Sequence, residues 1–171
     1  MKKLKRDILF GILFVLITGS AAHFLYDWLG QNDIAGFFAP INESVWEHMK
    51  LLFFPMVIYA LFMILKSKEN RLCIASSFCF GILVGTWLIP VFYYAYHYII
   101  GKDFFILDIG TFILSTIIAF WLAYKLSLSC RLKSAAPLLA GLVFVLFLCF
   151  VLFTYHPPDC KIFQDPTVYR S

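Results

Sequence analysis

Five long apolar runs divide the chain, and short polar segments separate them. Each run approaches or exceeds the about 20 residues with which an α-helix crosses the hydrocarbon core of a bilayer. The runs cover residues 8–27, 46–65, 72–100, 104–124 and 135–155. The pattern predicts an all-α integral membrane bundle of five transmembrane helices, organised as one domain over residues 1–171, with a tail at 156–171.

Composition agrees with this class of protein. Of the 171 residues, 62% are hydrophobic and 14% are charged. Soluble domains have about 45–50% apolar and about 25% charged residues. The first run also resembles a signal peptide, because basic residues precede it and it contains the small residues Ser20-Ala21-Ala22. Its apolar character continues through Phe24 and Leu29, however, which favours a first helix that is not cleaved.

Basic residues lie predominantly on one side of the predicted membrane. Cytoplasmic loops carry an excess of Lys and Arg, and this bias sets the orientation of membrane proteins. Ten of the 14 basic residues fall on the side of the amino terminus, namely Lys2, Lys3, Lys5, Arg6, Lys66, Lys68, Arg71, Lys125, Arg131 and Lys133. We therefore predict an amino terminus inside the cell and an extracytoplasmic carboxyl terminus. Because these residues form short clusters between apolar runs, they report topology and exclude a nucleic-acid partner.

All 4 histidines come out on the opposite, outer side, together with most of the acidic residues. The set consists of His23, His48, His97, His156, Asp27, Glu43, Glu47, Asp103, Asp108, Asp159 and Asp165. Ionisable residues at membrane depth usually serve function, because placing them there is costly. This convergence predicts a polar pocket at the outer end of the bundle.

The NESVWEHMK segment at the start of the second span carries the densest polar chemistry. In a helix, Glu43 and Glu47 lie one turn apart, as do Ser44 and His48. Helix capping explains part of the segment, with either Asn42 or Ser44 as the N-cap. Capping does not explain Glu47 and His48, which we place in the candidate catalytic site together with Glu43.

Other spans contribute further candidates to the same site. His23 and Asp27 are one turn apart on the first helix, so the carboxylate can orient the imidazole for proton transfer or metal binding. The alternative is a surface pair among lipid headgroups. Asp108 lies more than a turn inside the fourth span, where an isolated charge is costly, so we expect it to face the bundle interior. Asp103 is expected to cap that span.

A metal site can be assembled from the histidines at positions 23, 48, 97 and 156 with Glu43, Glu47 or Asp27, and zinc is a divalent metal that takes such ligands. The leading set is His23, Glu47, His48 and His156. No HExxH segment is present, so the ligands have to come from separate helices. Without a metal, Glu47 and His48 can serve as general base and general acid.

The tail and the cysteines give weaker expectations. The tail contains Pro157-Pro158 and is predicted to lack regular structure. A rigid turn at these prolines can fold residues 159–165 back over the helix ends, or the tail is solvated. The 5 cysteines show no CxxC spacing and mostly lie in apolar runs, which predicts buried thiols without a disulfide framework.

Three strings of residues resemble an uncharacterised family of small multi-pass membrane proteins from Gram-positive bacteria. They are HFLYDW at 23–28, NESVWEHMK at 42–50 and FQDP at 163–166. The resemblance covers nearly the whole chain, and the second string is fairly specific. It implies a place in the bacterial plasma membrane, and it implies no activity and no catalytic residue.

These observations predict a membrane-embedded enzyme that acts on a lipid or lipid-linked substrate at the outer leaflet, either metal-assisted or based on His and Glu alone. The alternative is a non-enzymatic binding or transport component that holds a cation, a proton or a small ligand in the same pocket. A third interpretation is a structural partner of a larger complex. A transporter also needs a polar path through the inner half, where Ser76, Ser77 and Thr116 are among few polar residues. Their scarcity favours an enzyme or a receptor over a channel.

The predicted orientation has a direct test at the carboxyl terminus. In a background with Cys160→Ser, a cysteine introduced at Ser171 should react with a membrane-impermeant thiol reagent in intact cells, because the distribution of basic residues places the tail outside. Labelling that occurs only after lysis would reverse the topology and move the pocket to the cytoplasmic side.

Overall fold

The computed structural model describes residues 2–67, 69–166 and 168, and every regular element within these ranges is helical. The α-helices are α1 (Lys2–Trp28), α2 (Asp33–Phe38), α3 (Val45–Lys66), α4 (Arg71–Ile100), α5 (Phe105–Ser129) and α6 (Ala136–Tyr155). Single 3₁₀ turns lie at Lys133–Ala135 and Lys161–Phe163. In the described part of the chain, 5 helices are long and apolar enough to cross a membrane, as the apolar pattern predicts. Lys68 and Ser171, which enter the topology prediction, lie outside the described residues.

Large aromatic side chains fill the middle of the bundle. Phe53 of α3 is 1% exposed, and Phe78, Phe120 and Phe150 of α4, α5 and α6 are 0% exposed. Phe78 and Phe120 meet edge to face with their ring centroids 6.0 Å apart. Glycine makes room for this packing between α4 and α5, since a Cβ atom on Gly81 would lie 2.6 Å from the Ala119 carbonyl oxygen. The core therefore depends on close helix approach, as is usual in membrane bundles.

A second close approach joins α1 to α3 at Gly19. A Cβ atom at this position would collide with the carbonyl oxygen of Leu51 in α3. Gly19 lies one turn before His23 on α1, and Leu51 lies one turn after His48 on α3. The missing side chain at Gly19 therefore allows the two histidine rings to come within 5.2 Å between centroids.

Two links close the bundle at the end that contains the amino terminus. Lys66 at the end of α3 forms a 2.8 Å ion pair with Asp7 of α1, and the Tyr59 hydroxyl donates to the Asp7 carbonyl oxygen. A disulfide joins Cys73 of α4 to Cys130 after α5, with their Cα atoms 5.2 Å apart. The expectation of buried thiols was wrong for this pair, because antiparallel packing of α4 and α5 brings together cysteines that are distant in sequence.

Several element boundaries differ from the sequence-based expectations. α2 occupies a segment expected to be a loop, because the Asn32 side chain accepts a hydrogen bond from the Ile34 amide at 2.9 Å and so starts a helix. α5 continues past residue 124 to Ser129. Asp103 does not cap α5, whose N-cap position is Phe104 without a side-chain hydrogen bond.

We predict that Gly19→Ala lowers the free energy of unfolding by about 1–3 kcal/mol, because the added methyl group forces α1 away from the Leu51 carbonyl. Thermal unfolding of the purified protein in detergent measures the change. Gly110→Ala in α5 is the matched control, since a Cβ atom there meets nothing within 4 Å. Equal stability of both variants would contradict the close approach of α1 and α3.

Candidate functional site

His23, Glu43 and His48 meet at the end of the bundle where α1 finishes and α3 begins. Glu43 Oε2 lies 3.7 Å from His23 Nε2 and 3.4 Å from His48 Nε2. One ligating atom from each residue lies within 4.8 Å of the corresponding atoms of the other two. Such spacing suits a single metal ion, because ligand bonds of about 2.0–2.2 Å place neighbouring ligand atoms a few ångströms apart.

The backbone fixes which nitrogen of His48 faces Glu43. His48 Nδ1 lies 2.9 Å from the carbonyl oxygen of Ser44, one turn earlier. A carbonyl oxygen only accepts hydrogen bonds, so Nδ1 carries a proton. In the neutral imidazole Nε2 then presents its lone pair towards Glu43, and in the imidazolium Nε2–H donates to the Glu43 carboxylate. Metal-binding histidines commonly donate their second N–H to a backbone carbonyl in this way.

The cluster is accessible from outside the bundle. The side chains of His23, His48 and Glu43 are 32%, 26% and 47% exposed. The hydrogen bond with His48 holds the pKa of Glu43 below its ordinary value, although partial burial opposes this shift. Glu43 is therefore a carboxylate at neutral pH, and the arrangement leaves room for water or a substrate beside the three side chains.

Glu47 belongs to a different structure, a buried ion pair with Lys50. Lys50 is 0% exposed and Glu47 is 2% exposed, and Lys50 Nζ lies 2.7 Å from Glu47 Oε2. Lys50 Nζ also donates to the Gly36 carbonyl oxygen at 2.9 Å and to Thr154 Oγ1 of α6 at 2.6 Å. Glu47 Oε2 in turn accepts from the Ile41 amide at 3.0 Å. The pair thus joins α3 to α6, to α2 and to the segment that follows α2.

Carboxylates of the α4–α5 region form a neighbouring group. Asp108 accepts a hydrogen bond from the Tyr96 hydroxyl, and its charge acts on His48. Asp103 Oδ1 accepts from the Tyr93 hydroxyl at 2.7 Å and lies 3.1 Å from His97 Nδ1. These contacts explain why Asp103 does not cap α5, since its carboxylate is directed to α4.

The structure brings some predicted site residues together and separates others. His23, Glu43 and His48 form the cluster, and Asp108 stands near enough to act on it electrostatically. Asp27 instead accepts a hydrogen bond from Gln31 at 3.3 Å, and His156 is exposed at the end of α6. A catalytic or metal-binding role for Glu47, Asp27 or His156 stays a prediction that these contacts do not support.

Sequence reasoning did not identify Lys50 and Thr154 as parts of this region, and it gave Asp165 only as one of the acidic residues on the outer side. Lys50 carried a signal, because only 4 of the 14 basic residues fall on the outer side and Lys50 stands three residues after Glu47. Thr154 and Asp165 follow their partners by more than a hundred residues, as the separations of 104 and 122 show. Contacts at such separations require knowledge of the fold.

Over the residues that the structure describes, the fold is all-helical, with five membrane-length helices and a candidate three-ligand site at one end of the bundle. The sequence model of a family of unknown function (DUF6512) matches residues 1–170, and the chain belongs to this family. No curated protein and no solved structure matches the chain. The resemblance to an uncharacterised family is thereby confirmed.

We predict that Lys50→Met lowers the free energy of unfolding by about 3–5 kcal/mol, because the Glu47 carboxylate then stays buried without its counter-charge. The double variant Glu47→Gln/Lys50→Met should recover most of this loss, since no charge remains and Gln can still accept from Ile41. Chemical unfolding in detergent measures both variants.

Lys125→Met is the control for this comparison, because Lys125 is exposed and its replacement should change stability by no more than about 0.5 kcal/mol. A double variant as unstable as Lys50→Met would show that packing, and not the buried charge, explains the loss.

Proposed function

We propose that this protein is a membrane-embedded metalloenzyme of the plasma membrane of a Gram-positive bacterium. His23, Glu43 and His48 hold one divalent metal ion, with zinc as the leading candidate, and the substrate is a lipid or a lipid-linked molecule. The amino terminus lies inside the cell and the carboxyl terminus outside, so the site opens at the outer leaflet.

One observation carries the proposal, namely the convergence of two imidazole nitrogens and one carboxylate oxygen within 4.8 Å. Each ligand comes from a separate part of the chain: α1, the segment before α3, and α3 itself. The Ser44 carbonyl supports the same interpretation, because it fixes the His48 tautomer that a metal requires.

The chemistry of this ligand set favours catalysis over a purely structural metal site. Structural zinc sites are closed by four protein ligands, whereas catalytic sites keep a position for water or substrate. Three ligands with exposed fractions of 26–47% leave such a position. A metal held there lowers the pKa of bound water to about 7 and polarises carbonyl or phosphoryl oxygens, which suits hydrolysis or group transfer.

The position of the site along the helices favours a lipid substrate. The cluster lies at the ends of spans α1 and α3, which is the level of lipid headgroups in a bilayer. Exposed aromatic residues at the same end, such as Trp28 at 68% and Tyr98 at 91%, suit the membrane interface. A bond near a headgroup can therefore reach the cluster while the acyl chains stay in the hydrocarbon core.

The alternative is a binding or transport component that holds a cation or a proton in the same place. It is favoured by the 3.4 Å contact between His48 Nε2 and Glu43 Oε2, since two acceptors meet there and need a proton or a metal between them. A transport path is less well supported. The hydroxyls of Ser76, Ser77 and Thr116 donate to carbonyls of their own helices, so they do not line a polar path.

We predict that the purified protein in lipid nanodiscs binds one Zn²⁺, and that His48→Ala or Glu43→Gln weakens binding at least about tenfold, because each removes a ligand. Occupancy should fall at acidic pH, because a protonated imidazole ceases to be a ligand. Calorimetric titration and elemental analysis measure affinity and stoichiometry. His156→Ala is the control, since His156 is exposed and outside the cluster. Equal affinity of His48→Ala and the natural protein would contradict the site.

Activity separates the enzyme from the alternative. The zinc-loaded protein, the His48→Ala variant and a chelator-treated sample are incubated with total lipid from a Gram-positive bacterium, and products are followed by mass spectrometry. An enzyme gives products only in the first sample. Zinc binding without any product would favour the binding or transport component.

A further inference from the structure

The carboxyl-terminal segment 161–165, here called the strap, returns to the beginning of α3. Its Phe163 ring lies 4.8 Å from the Trp46 ring and 5.7 Å from the Phe153 ring, measured between centroids. Ile162 packs against the same apolar core. Trp46 is only 4% exposed, so the strap covers a surface that belongs to the interior of the bundle. Of the two alternatives for residues 159–165, folded back or solvated, the contacts of the strap show the first, and the strap contains the 3₁₀ turn Lys161–Phe163.

The strap also makes a polar contact with the candidate site. Asp165 Oδ2 accepts a hydrogen bond from the backbone N–H of Glu43 at 3.2 Å. Glu43 precedes the Ser44 N-cap, so its amide has no place in the hydrogen-bond ladder of α3. Asn42 Oδ1 serves the next amide, that of Ser44, at 2.9 Å. The strap therefore holds the backbone N–H of Glu43, the candidate ligand, through Asp165.

We propose that Asp165 is a positioning residue for the candidate metal site, and that the strap places Glu43 for ligation. The inference rests on the metal site proposed above. Glu43 is the ligand that no helix holds, because it stands before α3 while His23 and His48 are fixed on α1 and α3. Ligands on irregular segments need support from neighbouring groups, and loss of that support commonly lowers metal affinity about 10–100-fold.

Charge and hydrogen bonding by Asp165 can be separated. Asp165 can act on Glu43 through the hydrogen bond to its backbone N–H and through its negative charge. Asparagine at position 165 keeps an acceptor oxygen and removes the charge. A positioning role therefore predicts that Asn is tolerated and that Ala is not.

The test measures Zn²⁺ affinity of the full-length protein in lipid nanodiscs by calorimetric titration. Asp165→Ala should raise the Kd about tenfold, because the Glu43 backbone loses its partner, while Asp165→Asn should stay within about threefold. Asp159→Ala is the matched control, since Asp159 is an exposed acidic residue of the same tail, and its Kd should not change.

A second readout does not require metal. In chelator-treated protein, hydrogen exchange of the Glu43 amide should become faster in Asp165→Ala and stay slow in Asp165→Asn. Unchanged Zn²⁺ affinity in Asp165→Ala would overturn the positioning role and leave the metal site intact. Equal losses in both variants would assign a charge or ligand role to Asp165 and overturn positioning as well.

If the natural protein binds no Zn²⁺, the proposed function fails and the exchange measurement alone decides the strap. Unchanged exchange of the Glu43 amide in Asp165→Ala would then overturn the strap contact too. Phe163→Ala provides an independent variant, because loss of its contact with Trp46 should loosen the strap and speed exchange at Glu43 with Asp165 still present.

Discussion

Lys50 carries its charge with no solvent exposure, and much of the outer end of the bundle is arranged around that charge. A buried ammonium group is tolerated only when a counter-charge and further hydrogen bonds replace its water. Glu47, the Gly36 carbonyl and Thr154 Oγ1 supply these contacts. Each partner comes from a different helix, so satisfying one charge fixes α2, α3 and α6 relative to one another. A role in the specificity of helix packing best explains why such a pair is buried here.

The ion pair also determines where the chemistry of the candidate site can occur. Glu47 Oε2 holds the Ile41 amide, two residues before Glu43. The close approach at Gly19 places His23 beside His48, and the strap holds the Glu43 amide. The three candidate ligand side chains therefore remain partly exposed, while these contacts restrict the backbone that carries them. Rigid support beneath accessible ligands is the arrangement that metal-dependent catalysis requires.

The number of membrane-length helices and their approximate bounds could be predicted from hydropathy, because five apolar runs of this length are compatible with few folds other than a helical membrane bundle. Part of the site followed as well, since His23, Glu43 and His48 were each identified from ionisable residues at helix ends. Helical periodicity did not separate the two glutamates, which share one face in an ideal helix. Glu47 differs from Glu43 in its burial, which depends on Lys50 and Thr154, and the contact between Lys50 and Thr154 spans 104 residues. Neither it nor the Cys73–Cys130 disulfide is visible in any local pattern.

The helix boundary at Ser44 gives the two glutamates different roles. The Ser44 side chain caps α3 by accepting from the Glu47 amide at 3.4 Å, so Glu47 begins inside the first turn and its side chain is buried beneath it. Glu43 stands outside the helix, where its side chain is directed towards the histidines. The Ser44 carbonyl accepts from both the backbone amide and Nδ1 of His48, at 3.2 Å and 2.9 Å. One capping residue thus sets the burial of Glu47, the freedom of Glu43 and the tautomer of His48. A shift of the cap by two residues, to Asn42, would place Glu43 within the helix and take it away from the cluster.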